Sequence, residues 1–154
     1  MPSPRPDASR ALLDEVRAVY ADLAARPVTR DCTGRAECCH FQLTGLTPFL
    51  TRGEALVVAR AWRATGRKEL LPITADKDGA CPMLDPATRR CRIYAARPFG
   101  CRTHFCRAAG GPYRRAEVLD LIRRLEAVDA RLGGDGVPRP LPIAVAAELA
   151  RRRL

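Results

Sequence analysis

The sequence predicts a mainly α-helical protein with a short β-hairpin, in which helices pack around an irregular, cysteine-rich middle. Three observations support this fold class. Apolar residues recur at helical spacing near both ends of the chain, two short apolar runs flank Asp85-Pro86, and all seven cysteines fall between residues 32 and 106. With 154 residues, 47% of them hydrophobic, the chain is long enough to bury a core, and we expect a single domain spanning residues 1–154.

A first amphipathic helix is predicted over residues 9–25. Its apolar residues fall at i, i+4, i+7, i+8 and i+11 and form one face, which consists of Leu12, Val16, Val19, Tyr20 and Leu23. Pro27 ends the helix, because proline cannot continue the hydrogen-bond ladder. A first cysteine-bearing loop follows from Asp31 to His40.

A second helix is predicted from about residue 52 to residue 65. Thr51 and Glu54 have the spacing of a capping box at its start, and Gly66 is the expected stop. One face of this helix carries Leu56 and Ala59 together with Arg60 or Arg63, with Trp62 nearby.

The pattern changes after Asp78. The stretch "GACPMLDPATRRCRIY" contains two short runs, residues 81–84 and 91–94, around the turn-forming pair Asp85-Pro86. This arrangement predicts the β-hairpin, with a cysteine on each arm. The following "RPFGCRTHFC" is expected to continue as a loop held by Pro98 and Gly100.

Two further helices are predicted near the C-terminus. The first runs from about residue 113 to 132 and ends at Gly133-Gly134, and the second covers residues 143–153 after the linker "DGVPRPLP". The apolar residues of the longer helix repeat at helical spacing and are Val118, Leu121, Ile122, Leu125, Val128 and Leu132.

The expected chemistry of the cysteines depends on the cellular compartment of the protein. The first residues, "MPSPRPDASR", lack an apolar signal region, and no stretch approaches the roughly 20 apolar residues of a membrane helix, so we expect a cytoplasmic protein with no membrane partner. Thiols are kept reduced there, so a cysteine cluster indicates metal or redox chemistry more often than disulfides. The odd number of cysteines also leaves one thiol outside any all-disulfide scheme.

The cysteine spacing favours metal ligation by the segment of residues 31–107. Cys38 and Cys39 are adjacent, with Cα atoms about 3.8 Å apart, whereas an ordinary disulfide needs about 4.4–6.8 Å. Thiolates in fours suit zinc or an iron–sulfur cluster, and seven would suit two tetrahedral ions that share a bridging thiolate. The candidate metal ligands are therefore Cys32, Cys38, Cys39, Cys81, Cys91, Cys101 and Cys106. His40 and His104 could also ligate, but the simpler interpretation is that they are polar loop residues near the site.

The net charge of +10 is consistent with an anionic thiolate site. Seven arginines lie close to cysteines or between them, and guanidinium groups stabilise thiolates. They are Arg35, Arg89, Arg90, Arg92, Arg97, Arg102 and Arg107. An acidic protein partner is a further possibility. Nucleic acid is disfavoured as a partner, because the basic residues form no dense run with interleaved aromatic residues.

At these residues the chain resembles the YkgJ-type family, described as the CxxCxxCC or zinc- or iron-chelating domain. The resemblance covers residues 32–106 and is carried by Cys38-Cys39, "GLTPFLTRGEA", "CPML" and "CRIYAARPFGCRTHFC". It implies a cysteine cluster that chelates zinc or iron. Arg35 stands in place of the second family cysteine and His104 in place of a Phe, so either a seven-thiolate site persists or the N-terminal part of the site, including Cys32, has lost ligands.

Three functions remain open from the sequence. The first is a small cytoplasmic protein whose cysteine cluster binds zinc or an iron–sulfur centre with a structural, redox or cargo role. The second is a cluster-bearing oxidoreductase or a metal-dependent protein-modifying enzyme, which the lack of a Gly-rich nucleotide loop, an HExxH motif or a recognisable triad disfavours. The third is a zinc-stabilised module that binds nucleic acid or an acidic protein.

Overall fold

The computed structural model describes residues 5–26, 47–67, 81–85, 87–104 and 113–151. These ranges contain the helices α1 (Pro6–Ala24), α2 (Arg52–Ala64), α3 (Phe99–Thr103), α4 (Arg115–Arg131) and α5 (Leu141–Arg151), a 3-10 helix at Tyr94–Ala96, and the strands β1 (Phe49–Leu50) and β2 (Arg139–Pro140). The mainly α-helical class with one antiparallel strand pair is thereby confirmed. No helix in the described part of the chain is both long and apolar enough to cross a membrane.

Helices α1 and α4 pack against each other through the apolar faces that the sequence predicts. The five predicted core residues of α1 are each at most 4% exposed, and together with Val57 and Phe99 they form a first apolar cluster with Val118, Leu121, Leu125, Val128 and Leu132. Ile122 lies partly buried at its margin. Burial of an amphipathic helix face is the main source of helix stability in a protein of this size, so these helices form where their sequences place them.

Helix α2 is the central helix of the fold, which the sequence did not predict. It packs against α1, α4 and α5, and it buries residues on two faces. Val57 faces the first cluster, while Val58 and Trp62 belong to a second cluster with α5. The narrower face predicted around Leu56 and Ala59 was therefore incomplete, since Leu56 is only partly buried and both flanking faces are covered.

The strand pair joins distant parts of the chain. Phe49 pairs with Pro140 and Leu50 with Arg139, and the Leu141 N–H donates to the Pro48 carbonyl at 2.9 Å. The stretch predicted as a linker thus contains β2, and the last helix begins at Leu141 instead of residue 143. Among the described residues, the hairpin predicted over residues 81–94 is reduced to one antiparallel bridge, between Leu84 and Cys91.

The start of α2 is held to the end of α4 by a buried carboxylate. Asp129 is 6% exposed and accepts the backbone N–H groups of Arg52, at 2.8 Å, and of Gly136, at 3.2 Å. A side chain at Gly134 would overlap this carboxylate, and Gly133 has φ +77°, so the predicted Gly-Gly stop of α4 depends on both glycines.

Candidate metal centre

Cys81 and Cys91 lie on the two arms of one turn. Leu84 and Cys91 form an antiparallel bridge, the Leu84 N–H donates to the Cys81 carbonyl at 3.0 Å, and the Arg92 N–H donates to the Met83 carbonyl at 2.9 Å. Neither arm extends into a strand, because turns at residues 82–83 and 92–93 directly adjoin the bridged residues. Cys81 is buried and Cys91 half-buried, and both pack on the second apolar cluster, so the two cysteines are held against the same part of the core.

The tip of this turn is organised by Asp85. Its N–H donates to the Arg90 carbonyl at 2.9 Å, its carbonyl accepts the Arg89 N–H at 2.8 Å, and its carboxylate accepts the Ala87 N–H at 2.9 Å. The Ala87 hydrogen bond, with a smaller contribution from the Arg92 guanidinium, lowers the pKa of Asp85. Arg89 adopts φ +58°, the left-handed conformation that closes the turn and brings Cys91 back opposite Leu84.

Cys101 lies in α3, a helix where the sequence predicted a loop. That prediction was wrong because both ends of the helix have partners outside it: Phe99 packs in the first apolar cluster, and the Thr103 carbonyl accepts the Tyr113 N–H at 2.9 Å. Pro98 precedes the helix in an extended conformation, the Phe99 side chain is 6% exposed in the first apolar cluster, and the Cys101 N–H donates to the Pro98 carbonyl at 3.0 Å. A Cβ at Gly100 would lie 3.2 Å from the Pro48 Cβ, so α3 approaches the residue before β1 closely. Cys101 is half-buried, and His104 follows the last residue of α3.

Glu54 connects α3 to the helical core. One carboxylate oxygen, Oε2, accepts the backbone N–H and the hydroxyl of Thr51, both at 3.0 Å, which confirms the predicted reach of Glu54 back to the start of α2. The other, Oε1, accepts the Phe99 N–H at 2.8 Å and the Tyr20 hydroxyl at 3.3 Å. Burial raises the pKa of Glu54, and these hydrogen bonds oppose the rise. The capping motif revealed the first pair of contacts but not the second, which involves residues far away in the sequence.

Two arginines near these cysteines, Arg97 and Arg102, bind backbone carbonyls and aromatic rings. Arg97 lies over the Tyr94 ring, 3.8 Å from its centroid, and Arg102 lies over the Tyr20 ring at 4.1 Å. Arg102 also donates to the carbonyls of Arg97, at 2.6 Å, and Ala95, at 2.7 Å. These contacts fix the position of the guanidinium groups without neutralising their charge, so the segment stays electropositive.

The structure describes three of the seven predicted ligands. Two of them, Cys81 and Cys91, lie on the turn, and Cys101 lies in α3. The other predicted site residues lie outside the described residues and are Cys32, Cys38, Cys39, Cys106, Arg35, His40 and Arg107. Among the described residues, no three cysteine, histidine or acidic side chains form a group that could hold a metal ion. A complete site would therefore need ligands from the remaining cysteines.

A comparison with known families assigns the chain. It belongs to the CxxCxxCC family, described as a "Putative zinc- or iron-chelating domain", whose model matches residues 31–118, more than half of the chain. This confirms the family that the cysteine motifs indicated, and it supports metal binding in general. No curated protein and no solved structure matches the chain.

Proposed function

We propose that this chain binds zinc or an iron–sulfur centre through the thiolates of its seven cysteines, which are Cys32, Cys38, Cys39, Cys81, Cys91, Cys101 and Cys106. The observation that carries the proposal is the charge of the segment around the described thiols. Residues 81–104 contain three cysteines, five arginines and a single acidic residue, Asp85. Such a segment is suited to a ligand set that becomes anionic when its thiols lose their protons.

The positions of the arginines support thiolate formation. A guanidinium close to a thiol favours the charged form of that thiol, and thiolate is the form that ligates metal. Arg92 and Arg102 are each adjacent in sequence to a cysteine, Cys91 and Cys101, and both guanidinium groups have defined partners. The partners of Arg102 are uncharged, whereas Arg92 lies 3.8 Å from the Asp85 carboxylate, so Arg102 offers the less compensated charge to its neighbouring thiol.

The donor chemistry of the described residues fits both metals named by the family. Thiolates are soft ligands, and sets of four bind zinc tetrahedrally or hold an iron–sulfur cluster. When bound, zinc would supply a structural cross-link and an iron–sulfur cluster a one-electron redox centre. This chain supplies the supporting scaffold: the Leu84–Cys91 bridge sets the turn that carries two thiols, and α3 carries a third.

Protein purified without oxygen provides the test. We expect metal at a fixed ratio per chain by elemental analysis. Brown protein with visible charge-transfer absorption would identify an iron–sulfur centre, and colourless protein with zinc would identify zinc thiolates. Metal-free protein that binds neither zinc nor iron after reconstitution would contradict the proposal.

Replacing single cysteines by serine tests the shared site. Serine offers a hydroxyl, which binds zinc and iron poorly, so we expect Cys91→Ser and Cys101→Ser to abolish metal retention and Cys32→Ser to reduce it less. Ala87→Ser places a hydroxyl at an exposed position of the same segment and should leave the metal content unchanged. Equal metal in all of the cysteine variants and the wild type would contradict a shared site.

A further inference from the structure

We infer that Glu54 is a positioning residue of the metal centre, which holds α3 so that the Cys101 thiol points toward the metal. The inference rests on the proposed function. Glu54 is not a ligand in this scheme, since both of its oxygens are already used as hydrogen-bond acceptors.

The hydrogen bonds of Glu54 show why a buried carboxylate stands at this position. It is 2% exposed, and its four donors come from three parts of the chain: Tyr20 in α1, Thr51 at the start of α2, and Phe99 at the start of α3. An ionised carboxylate has about four acceptor sites, so the four donors account for its capacity. A group that only capped α2 would need the Thr51 contacts alone, and the Phe99 contact therefore has another purpose.

Helix α3 depends on contacts of this kind. It has five residues, too few for a stable helix without external support. Glu54 accepts the N–H of Phe99, the first residue of α3, and Cys101 lies two residues further on. The orientation of the start of the helix thus sets the direction of the Cys101 side chain.

Tyr20 contacts both Glu54 and Arg102. Its hydroxyl donates to Glu54 at 3.3 Å, and its ring lies 4.1 Å below the guanidinium of Arg102, the residue after Cys101. Burial, together with the nearby Glu54 carboxylate, raises the pKa of the Tyr20 hydroxyl, which keeps it protonated as a donor. One side chain of α1 therefore contacts both the carboxylate that holds α3 and the cation beside the thiol.

The test compares Glu54→Gln with Glu117→Gln. Glu117 occupies the same position in the first turn of α4 and accepts the Arg114 N–H at 2.7 Å, but it is exposed, and within the described part of the chain its side chain holds no second element. Both variants lose a capping carboxylate but keep one amide oxygen as an acceptor, which suffices for the one donor at Glu117. The donors of Thr51, Phe99 and Tyr20 need both oxygens, so only Glu54→Gln sets an NH2 group against buried donors and disturbs the link between α2 and α3. Co(II) is the probe, because its absorption reports the number and geometry of thiolate ligands, and competition with a chelator gives its affinity.

We expect Glu54→Gln to weaken Co(II) binding about 10- to 100-fold, the usual cost of removing a group that orients a metal ligand. The visible absorption of bound Co(II) should change as well, because a thiolate ligand is lost or displaced. Glu117→Gln should keep the wild-type affinity and spectrum. If Glu54→Gln fails to fold, Tyr20→Phe removes one of the four hydrogen bonds and keeps the ring under Arg102, and a several-fold loss of affinity is expected.

The outcomes separate the inference from the proposed function. A wild-type chain that binds neither Co(II), zinc nor iron contradicts the proposed function. If the wild-type chain binds Co(II) and folded Glu54→Gln has the same affinity and spectrum, the positioning role is overturned and the proposed function stands. If Glu54→Gln does not fold, the same result for Tyr20→Phe leads to the same conclusion. Equal losses in Glu54→Gln and Glu117→Gln also overturn it, because helix capping would then explain both.

Discussion

The helical pair α1 and α4 and the cysteine-bearing segment of residues 81–104 use the same residue, arginine, in different ways. Across the helical pair, arginines meet carboxylates: Arg26 pairs with Asp120, Arg124 with Asp22, and Arg131 with Glu15. In the cysteine-bearing segment, Arg97 and Arg102 bind carbonyls and rings. Arg92 does meet the one carboxylate of this segment, Asp85, at 3.8 Å, but five arginines against one aspartate leave a net positive charge beside the thiols. The surface pairs themselves add little stability, on the order of 0–1 kcal/mol each.

The two regions also differ in how they are held. The helical pair is stabilised by interlocking apolar faces along two helices of 19 and 17 residues. In its described residues, the cysteine-bearing segment has one backbone bridge, one short α-helix and buried apolar anchors that include Met83, Ile93 and Phe99. Because of these anchors, loss of metal should loosen the segment without releasing it from the core.

The largest effect is expected from Leu121→Ala, which breaks the helical pair. Leu121 is 1% exposed in the first apolar cluster, so its truncation should lower the free energy of unfolding by about 2–5 kcal/mol. Denaturant unfolding followed by circular dichroism measures the change, and the folded fraction should keep its metal content per chain. The neighbouring Ile122→Ala, at a partly buried position, should cost less. Metal lost from folded Leu121→Ala protein would contradict the separation of the two regions.

A smaller effect, and one that depends on metal, is expected from Met83→Ala. Met83 is 0% exposed among the residues around Trp62, and the chain contains one tryptophan, so its fluorescence reports on this cluster. We expect a loss of about 2 kcal/mol in chelated protein and a smaller loss in metal-loaded protein, because metal bonds would hold the same segment.

Met83→Leu serves as the control, since it keeps the buried volume and should cost less than about 1.5 kcal/mol. Identical losses for Met83→Ala with and without metal would show that metal ligation and core packing do not stabilise the same segment.

The smallest effect is expected from Arg89→Gly at the tip of the turn. Arg89 has φ +58°, which glycine adopts without steric cost, so the substitution should stabilise the protein by about 0.5–1 kcal/mol. Arg90→Gly removes the same charge at a residue without positive φ and should destabilise slightly. Thermal unfolding of the two variants isolates the backbone effect, and equal shifts in the midpoint would contradict it.

The sequence by itself determined the elements that depend on local chemistry. The apolar faces of α1 and α4, the Thr51–Glu54 contact and the glycines after α2 and α4 all lie within a few turns of the helices they define. The cysteine motifs likewise determined the family, since their spacing is itself a local pattern. Periodicity and capping rules describe such features because each interaction joins residues close in the chain.

Tertiary structure alone decided the features that require two distant segments to meet. The pairing of Phe49 with Pro140, the burial of α2 on two faces, and the helix at residues 99–103 have no local signal. Glu54 shows the reason in one residue. Its Oε2 accepts hydrogen bonds from Thr51, three positions earlier in the chain, which a sequence pattern can reveal. Its Oε1 accepts them from Tyr20 and Phe99, which are far away in the sequence. Those donors approach only after α1 and α3 have packed against α2. They then replace the water that burial removes from the carboxylate.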